Sequence, residues 1–85
     1  MSEKEIWCRL IRLCKRKYGL KKVIWVKDAD MPCNGALCTY EDGMVSFNIK
    51  HCRKNFNYRV SALFHEMGHI HCHRNGLWKN YHYTG

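Results

Sequence analysis

Apolar positions recur with different periods along this chain, and the changes of period divide it into elements. Ile6, Trp7, Leu10, Ile11, Leu13 and Cys14 follow roughly helical spacing and predict an amphipathic helix. Ser2 and Glu5 stand ahead of it as a capping box, and Gly19 is placed to end it. Val23-Ile24-Trp25-Val26 is a β-branched and aromatic run that predicts a short buried strand. Residues 28–34 carry Asp, Pro and Asn and predict a loop. Leu37 to Tyr40 and Met44 to Ile49 flank Glu41-Asp42-Gly43, which reads as a β-hairpin. In the second hairpin strand Val45, Phe47 and Ile49 alternate with Ser46 and Asn48, so the latter two are expected on a wet face. Residues 51–57 are polar and basic, a loop or a short helical turn. Val60, Leu63, Phe64, Met67 and Ile70 then return to helical periodicity and predict a largely buried helix, with Asn55 or Asn57 as its cap and Asn75-Gly76 as its stop.

The order is helix, strand, hairpin, helix and a short C-terminal element. This is an α+β layout, a small antiparallel or mixed sheet packed on helices. The chain has 85 residues, the size of one small domain, so residues 1–85 are expected to fold as a unit.

The last predicted helix carries His65-Glu66-Met67-Gly68-His69, which reads H-E-x-x-H. Residues four apart lie on one helical face. Two imidazoles at that spacing can grip one tetrahedral Zn²⁺, and the intervening glutamate can act on water beside the metal. The bland reading is a helix with two surface histidines. The apolar periodicity around the motif argues against it. Gly68 is expected to let another backbone approach the site.

A catalytic zinc usually has three protein ligands and an open position. No Asp or Glu follows Glu66, so a downstream carboxylate cannot be the third. His71 points to another face of a continuing helix and is expected to meet solvent. His73 lies eight residues past His65, about 12 Å along a helix, and can join only if the helix ends first. His82 is thirteen residues after His69, enough for the chain to turn at Asn75-Gly76 and run back. His82 is therefore the favoured third ligand and His73 the alternative. Tyr81 or Tyr83 would then lie near the metal and stabilise a developing oxyanion.

The formal charge is +8, from fifteen Lys and Arg against seven acids. Such a surface attracts polyanions, nucleic acid first among them. Arg9, Arg12, Lys15 and Arg16 cluster on the first helix, and Lys50, Arg53, Lys54 and Arg59 precede or open the motif helix. Trp25, Tyr40, Tyr58, Trp78 and Tyr81 interleave with these charges, and exposed rings can stack on unpaired bases. The chain has no apolar run long enough to span a membrane and no signal-peptide layout at its start, so a cytoplasmic location and reduced thiols are expected. Cys33 and Cys38, with Cys52 or His51, are candidates for a second, structural metal site, although C-x4-C is wider than the usual pair. Cys8 and Cys14 read as small hydrophobes.

The element order and the motif together resemble the zincin metallopeptidases, in which a helix and a twisted sheet precede the H-E-x-x-H helix. His65, Glu66, His69 and His82 resemble the SprT-like branch, which includes Spartan-type proteases and takes a third His from a separate downstream segment. Leu63 to His69 is similar to the ImmA/IrrE-like branch, whose downstream acidic ligand is missing here. Cys72 and Asn75 stand where the metzincin extension has Gly and His. The resemblance implies a minimal zincin-like fold and a zinc metallopeptidase acting on protein or peptide substrates, some of them nucleic-acid-associated. An extended peptide would add to an edge strand, with Met44 to Ile49 expected in that role. The alternative is a zinc-stabilised nucleic-acid-binding or protein-interaction module without catalysis.

Overall fold

The computed structural model describes residues 1–39 and 41–76. Helix α1 spans Glu3–Tyr18 and is followed by strand β1, Lys22–Val26. A 3-10 turn at Asp28–Asp30 leads to β2, Ala36–Thr39, and β3, Met44–Asn48. A short α2, Ile49–Cys52, precedes the long α3, Phe56–Arg74. The protein is a small α+β domain. No helix among the described residues is long and apolar enough to cross a membrane.

Local signals set the helix ends. The Ser2 hydroxyl accepts from the Glu5 N–H at 3.2 Å, which satisfies one of the N–H groups left over at the start of α1. Gly19 closes α1 in the left-handed region, φ 79°, where a side chain would be strained. The Asn55 side chain accepts from the Tyr58 N–H at 3.0 Å and caps α3, and α3 stops at Asn75-Gly76 as the sequence predicts.

The sheet has order β1-β3-β2. β1 runs parallel to β3, with Val23 opposite Val45 and Trp25 opposite Phe47. β2 runs antiparallel to β3, with Ala36 opposite Phe47 and Cys38 opposite Val45. The expected hairpin therefore forms, but Met44–Asn48 is the central strand, paired on both sides. It has no edge to offer a peptide. Among the described residues β1 and β2 are the two edge strands, and α3 packs against β2.

Side chains two apart in a strand share a face. Val45 and Phe47 of β3, with Ala36 of β2, turn toward the helices and meet Cys14 of α1 and Leu63, Met67 and Ile70 of α3 in one buried core. Phe47 sits between two indoles. Its ring centroid is 5.5 Å from that of Trp7 and 5.4 Å from that of Trp25.

Two expectations from the pattern are corrected here. Asn48 is fully buried rather than wet, because β3 ends there and the chain turns straight into α2. Its amide donates to the Asp28 carboxylate and to the Cys33 carbonyl, each at 2.9 Å, and its carbonyl accepts from the Lys50 N–H at 3.0 Å. Phe64 is 40% exposed, since the buried stripe of α3 runs through Leu63, Met67 and Ile70 and leaves its neighbour outside. At Gly68 a Cβ would meet nothing within 4 Å among the described residues, and the C-terminal segment expected to approach there lies outside them.

Candidate metal centre

α3 brings His65 and His69 together on one face, one turn apart. Their Nε2 atoms are 3.1 Å apart, and their rings stand nearly perpendicular, 79°, with centroids at 4.6 Å. Two nitrogens at that distance either share a proton or turn their lone pairs to a common cation. On a tetrahedral zinc with Zn–N of 2.0–2.1 Å, two ligand nitrogens stand roughly 3.3 Å apart. The observed spacing fits that geometry to within a few tenths of an ångström. Burial, and then the neighbouring His65, hold the His69 pKa below its ordinary value. That favours the neutral imidazole that binds metals.

Glu66 projects from a different face of α3, toward the sheet. Only 2% of its surface is exposed. The Cys38 thiol of β2 donates a hydrogen bond to its carboxylate, while its Oε2 is buried with no hydrogen-bond partner among the described residues. Burial pushes the Glu66 pKa up, opposed by the Cys38 bond and by His65. Burial also pushes the Cys38 thiol up, and the adjacent carboxylate adds to this. A buried carboxylate oxygen without a donor is costly. A polar hydrogen delivered from the histidine side, such as that of a water held at a metal, would satisfy it.

A groove of about 330 Å³ reaches this pair. Cys33 to Ala36, entering the edge strand, form one wall; Tyr58, Ser61 and Ala62 of α3 form the other; His65 and Glu66 lie along it. Gly35 lets the walls approach, since a Cβ there would come within 3.2 Å of the Tyr58 hydroxyl. A larger concavity, about 640 Å³, lies elsewhere, between the end of α1 and the end of α3. It holds neither motif histidine nor Glu66, so the groove is the better candidate for the chemistry.

The other predicted ligands divide into two groups. His82, Tyr81 and Tyr83 lie outside the described residues. His73 lies within α3, which continues to Arg74. The helix therefore carries it about 12 Å along the axis from His65 and does not bring it to the pair. Among the described residues no three His, Cys, Asp or Glu side chains are placed to hold one metal ion. Cys33, Cys38 and Cys52, expected as a second site, are likewise not brought together as such a group. Cys38 is taken by Glu66. The Cys33 thiol turns to the Ala36 carbonyl, the Cys52 thiol turns to the Gly35 carbonyl at 3.4 Å, and His51 lies 3.4 Å from Asp28. His71 is exposed, as expected, with its ring edge toward Tyr18. Arg9, Arg12, Lys15, Arg16, Lys50, Arg53 and Lys54 are all exposed. Of these, Lys50 makes a solvent-exposed 3.9 Å contact with Asp28, a pair of little energetic weight.

Sequence reasoning missed Cys38 and Tyr58 as neighbours of the motif. The alternation of β2 could have placed Cys38 on the same face as Ala36. Nothing in the sequence says which helix residue it meets. No protein-family model, no curated protein and no solved structure matches this chain.

Proposed function

We propose that this protein is a zinc-dependent peptidase of minimal zincin-like design. The observation that carries the reading is the pairing of His65 with His69 at 3.1 Å, together with a groove lined by His65 and by Glu66, whose buried Oε2 has no hydrogen-bond partner among the described residues. His65 and His69 would hold the metal, with His82 as third ligand. A bound zinc ion supplies the Lewis acidity that activates water near neutral pH. Glu66 takes the proton from the attacking water and passes it to the leaving amine. Its raised pKa suits a group that must both accept and release a proton near neutrality.

The substrate reading follows from the sheet. Among the described residues β2 pairs only with β3, so its other edge carries backbone groups that an extended peptide can meet. Tyr58, 40% exposed on the opposite wall, supplies a hydroxyl within the groove. The substrate class is thus an extended peptide or an unfolded protein segment. The basic surface favours substrates bound to polyanions.

Glu66→Gln tests the role of the carboxylate. The variant should keep the metal-binding affinity of the native protein and lose peptide hydrolysis by at least about a hundredfold, the low end of general-base catalysis. Hydrolysis at the native rate in Glu66→Gln would remove Glu66 from the mechanism.

A further inference from the structure

A second groove, of about 340 Å³, lies away from the histidine pair and is lined by Trp25, Ile49, Arg53 and Arg59. Its chemistry is unusual for a structural crevice. The Arg59 guanidinium sits 4.5 Å from the ring centroid of Trp7, 5.7 Å from that of Trp25 and 5.4 Å from that of Phe56. One of its terminal nitrogens donates to the Arg53 carbonyl at 3.4 Å, and its Nε is buried with no hydrogen-bond partner among the described residues. Among the described residues it makes no ion pair with a carboxylate; the ion pairs there both go to Asp28. Arg59 is therefore a cation held in place by aromatic faces, its charge not neutralised by an acid. Arg53 and Lys54, in the turn between α2 and α3, are exposed beside it.

Trp25 supplies the other half of the site. Its indole is braced from within by Phe47, centroids 5.4 Å apart, yet 38% of the residue is exposed. A braced, half-open indole beside two guanidinium groups offers a flat stacking surface and a place for a phosphate. We propose that this groove binds single-stranded nucleic acid, with a base stacked on Trp25 and the adjoining phosphates held by Arg53 and Arg59. The net charge of +8 draws a polyanion to the protein. The exposed ring selects an unpaired base, since a duplex keeps its bases stacked inside and presents only phosphates. An acidic peptide would satisfy the arginines but leave the indole without a partner. The inference stands apart from the peptidase reading, because none of these residues lines the groove at His65 and Glu66.

The test is fluorescence anisotropy of a labelled oligothymidylate titrated with the full chain, with a duplex of equal length and poly-glutamate as comparisons. It is run without added metal and repeated in the Glu66→Gln variant, so a failure of the peptidase reading cannot be mistaken for failure of this one. Trp25→Ala should weaken oligothymidylate binding roughly five- to 150-fold, the equivalent of about 1–3 kcal/mol for one stacked base. Duplex binding should change less than twofold, and Trp25→Phe should restore most of the loss. Arg53→Glu, a change at an exposed position that cannot unfold the core, should weaken binding and lower the slope of log affinity against log salt by about 0.7 for the lost phosphate contact. The proposal is overturned if Arg53→Glu binds oligothymidylate as the native protein does. It is equally overturned if duplex or poly-glutamate binds as tightly as oligothymidylate and is lost in the same variants.

Discussion

Replacing Asn48 by alanine removes three hydrogen bonds from the point where β3, α2 and the loop entering β2 meet. The amide joins the Asp28 carboxylate and the Cys33 carbonyl, and its oxygen caps the Lys50 N–H. A net hydrogen bond contributes about 0.5–1.5 kcal/mol, and a lost cap costs about 1 kcal/mol. Asp28 is half in solvent, so its bond belongs at the low end. The sum is about 2–3 kcal/mol. A domain of this size has a total stability of about 4–13 kcal/mol at 0.05–0.15 kcal/mol per residue, so the variant should fold but melt on the order of 10–25 °C lower. Urea unfolding followed by tryptophan fluorescence and by far-ultraviolet circular dichroism gives the difference. Asn48→Asp is the companion variant. It keeps the capping oxygen but turns a second carboxylate toward Asp28 and the Cys33 carbonyl, so it should be no more stable than the alanine variant near neutral pH. The acid limb adds a sign. The Asn48 amide, then the charges of Lys50 and His51, hold the Asp28 pKa below the usual carboxylate range. That stabilisation is complete above the unfolded value of about 3.9 and is lost as pH falls through the lower folded value. Asn48→Ala should therefore lose stability less steeply on acidification than the native protein. A cost under about 1 kcal/mol for Asn48→Ala, or native stability in Asn48→Asp, would refute the reasoning.

Other consequences can be measured directly. The purified protein should carry or take up about one zinc ion per chain; His65→Ala and His69→Ala should each lose that uptake by mass spectrometry, and a folded protein that binds no zinc would end the peptidase reading. Zinc at a hundredfold over its dissociation constant should raise stability by about 2.7 kcal/mol, seen as a higher melting temperature in the native protein and not in His69→Ala. Leu63→Ala, at a fully buried position one turn before Met67, should cost about 2–5 kcal/mol; a loss below about 1 kcal/mol would mean that α3 is not seated as described. Gly43→Ala should destabilise by more than about 1 kcal/mol, because φ is 64° and the new Cβ would stand 2.6 Å from the Gly19 carbonyl oxygen. A neutral result would show that the hairpin end relaxes without cost.

The helices of this protein were legible because their signals are local. Apolar period, the Ser2 and Asn55 caps, and Gly19 and Gly76 at the ends act within a few residues of where they stand. The two histidines follow from helix geometry alone. The sheet was legible in its faces but not in its order. Alternation places Val45 and Phe47 inward whichever strands lie beside them, whereas the parallel pairing of β1 with β3 joins segments some twenty residues apart. That one non-local choice takes the edge away from Met44–Asn48 and leaves it to Lys22–Val26 and Ala36–Thr39 among the described residues. Asn48 broke the alternation because it ends a strand, where a side chain can be claimed by a loop and a cap together. Cys38 was hidden for a related reason: its contact with Glu66 exists only once β2 lies against α3.

Glu66 is the residue that a purely structural account explains least well. It occupies a position flanked by Leu63, Met67 and Ile70, all buried, where a leucine or methionine would pack without any desolvation cost. Its carboxylate instead accepts from a thiol, a weak donor, and keeps one buried oxygen with no hydrogen-bond partner among the described residues. A helix with two incidental surface histidines has no use for such a group. A site that must move a proton does, because a carboxylate bonded on one oxygen is held in orientation while the other stays available to a reacting water. The cost in stability and the fit to the chemistry thus fall on the same atom. Glu66→Met should accordingly yield a protein more stable than the native form in the absence of metal and without hydrolytic activity. A less stable Glu66→Met would show that the carboxylate serves the fold, and the argument from its burial would fall.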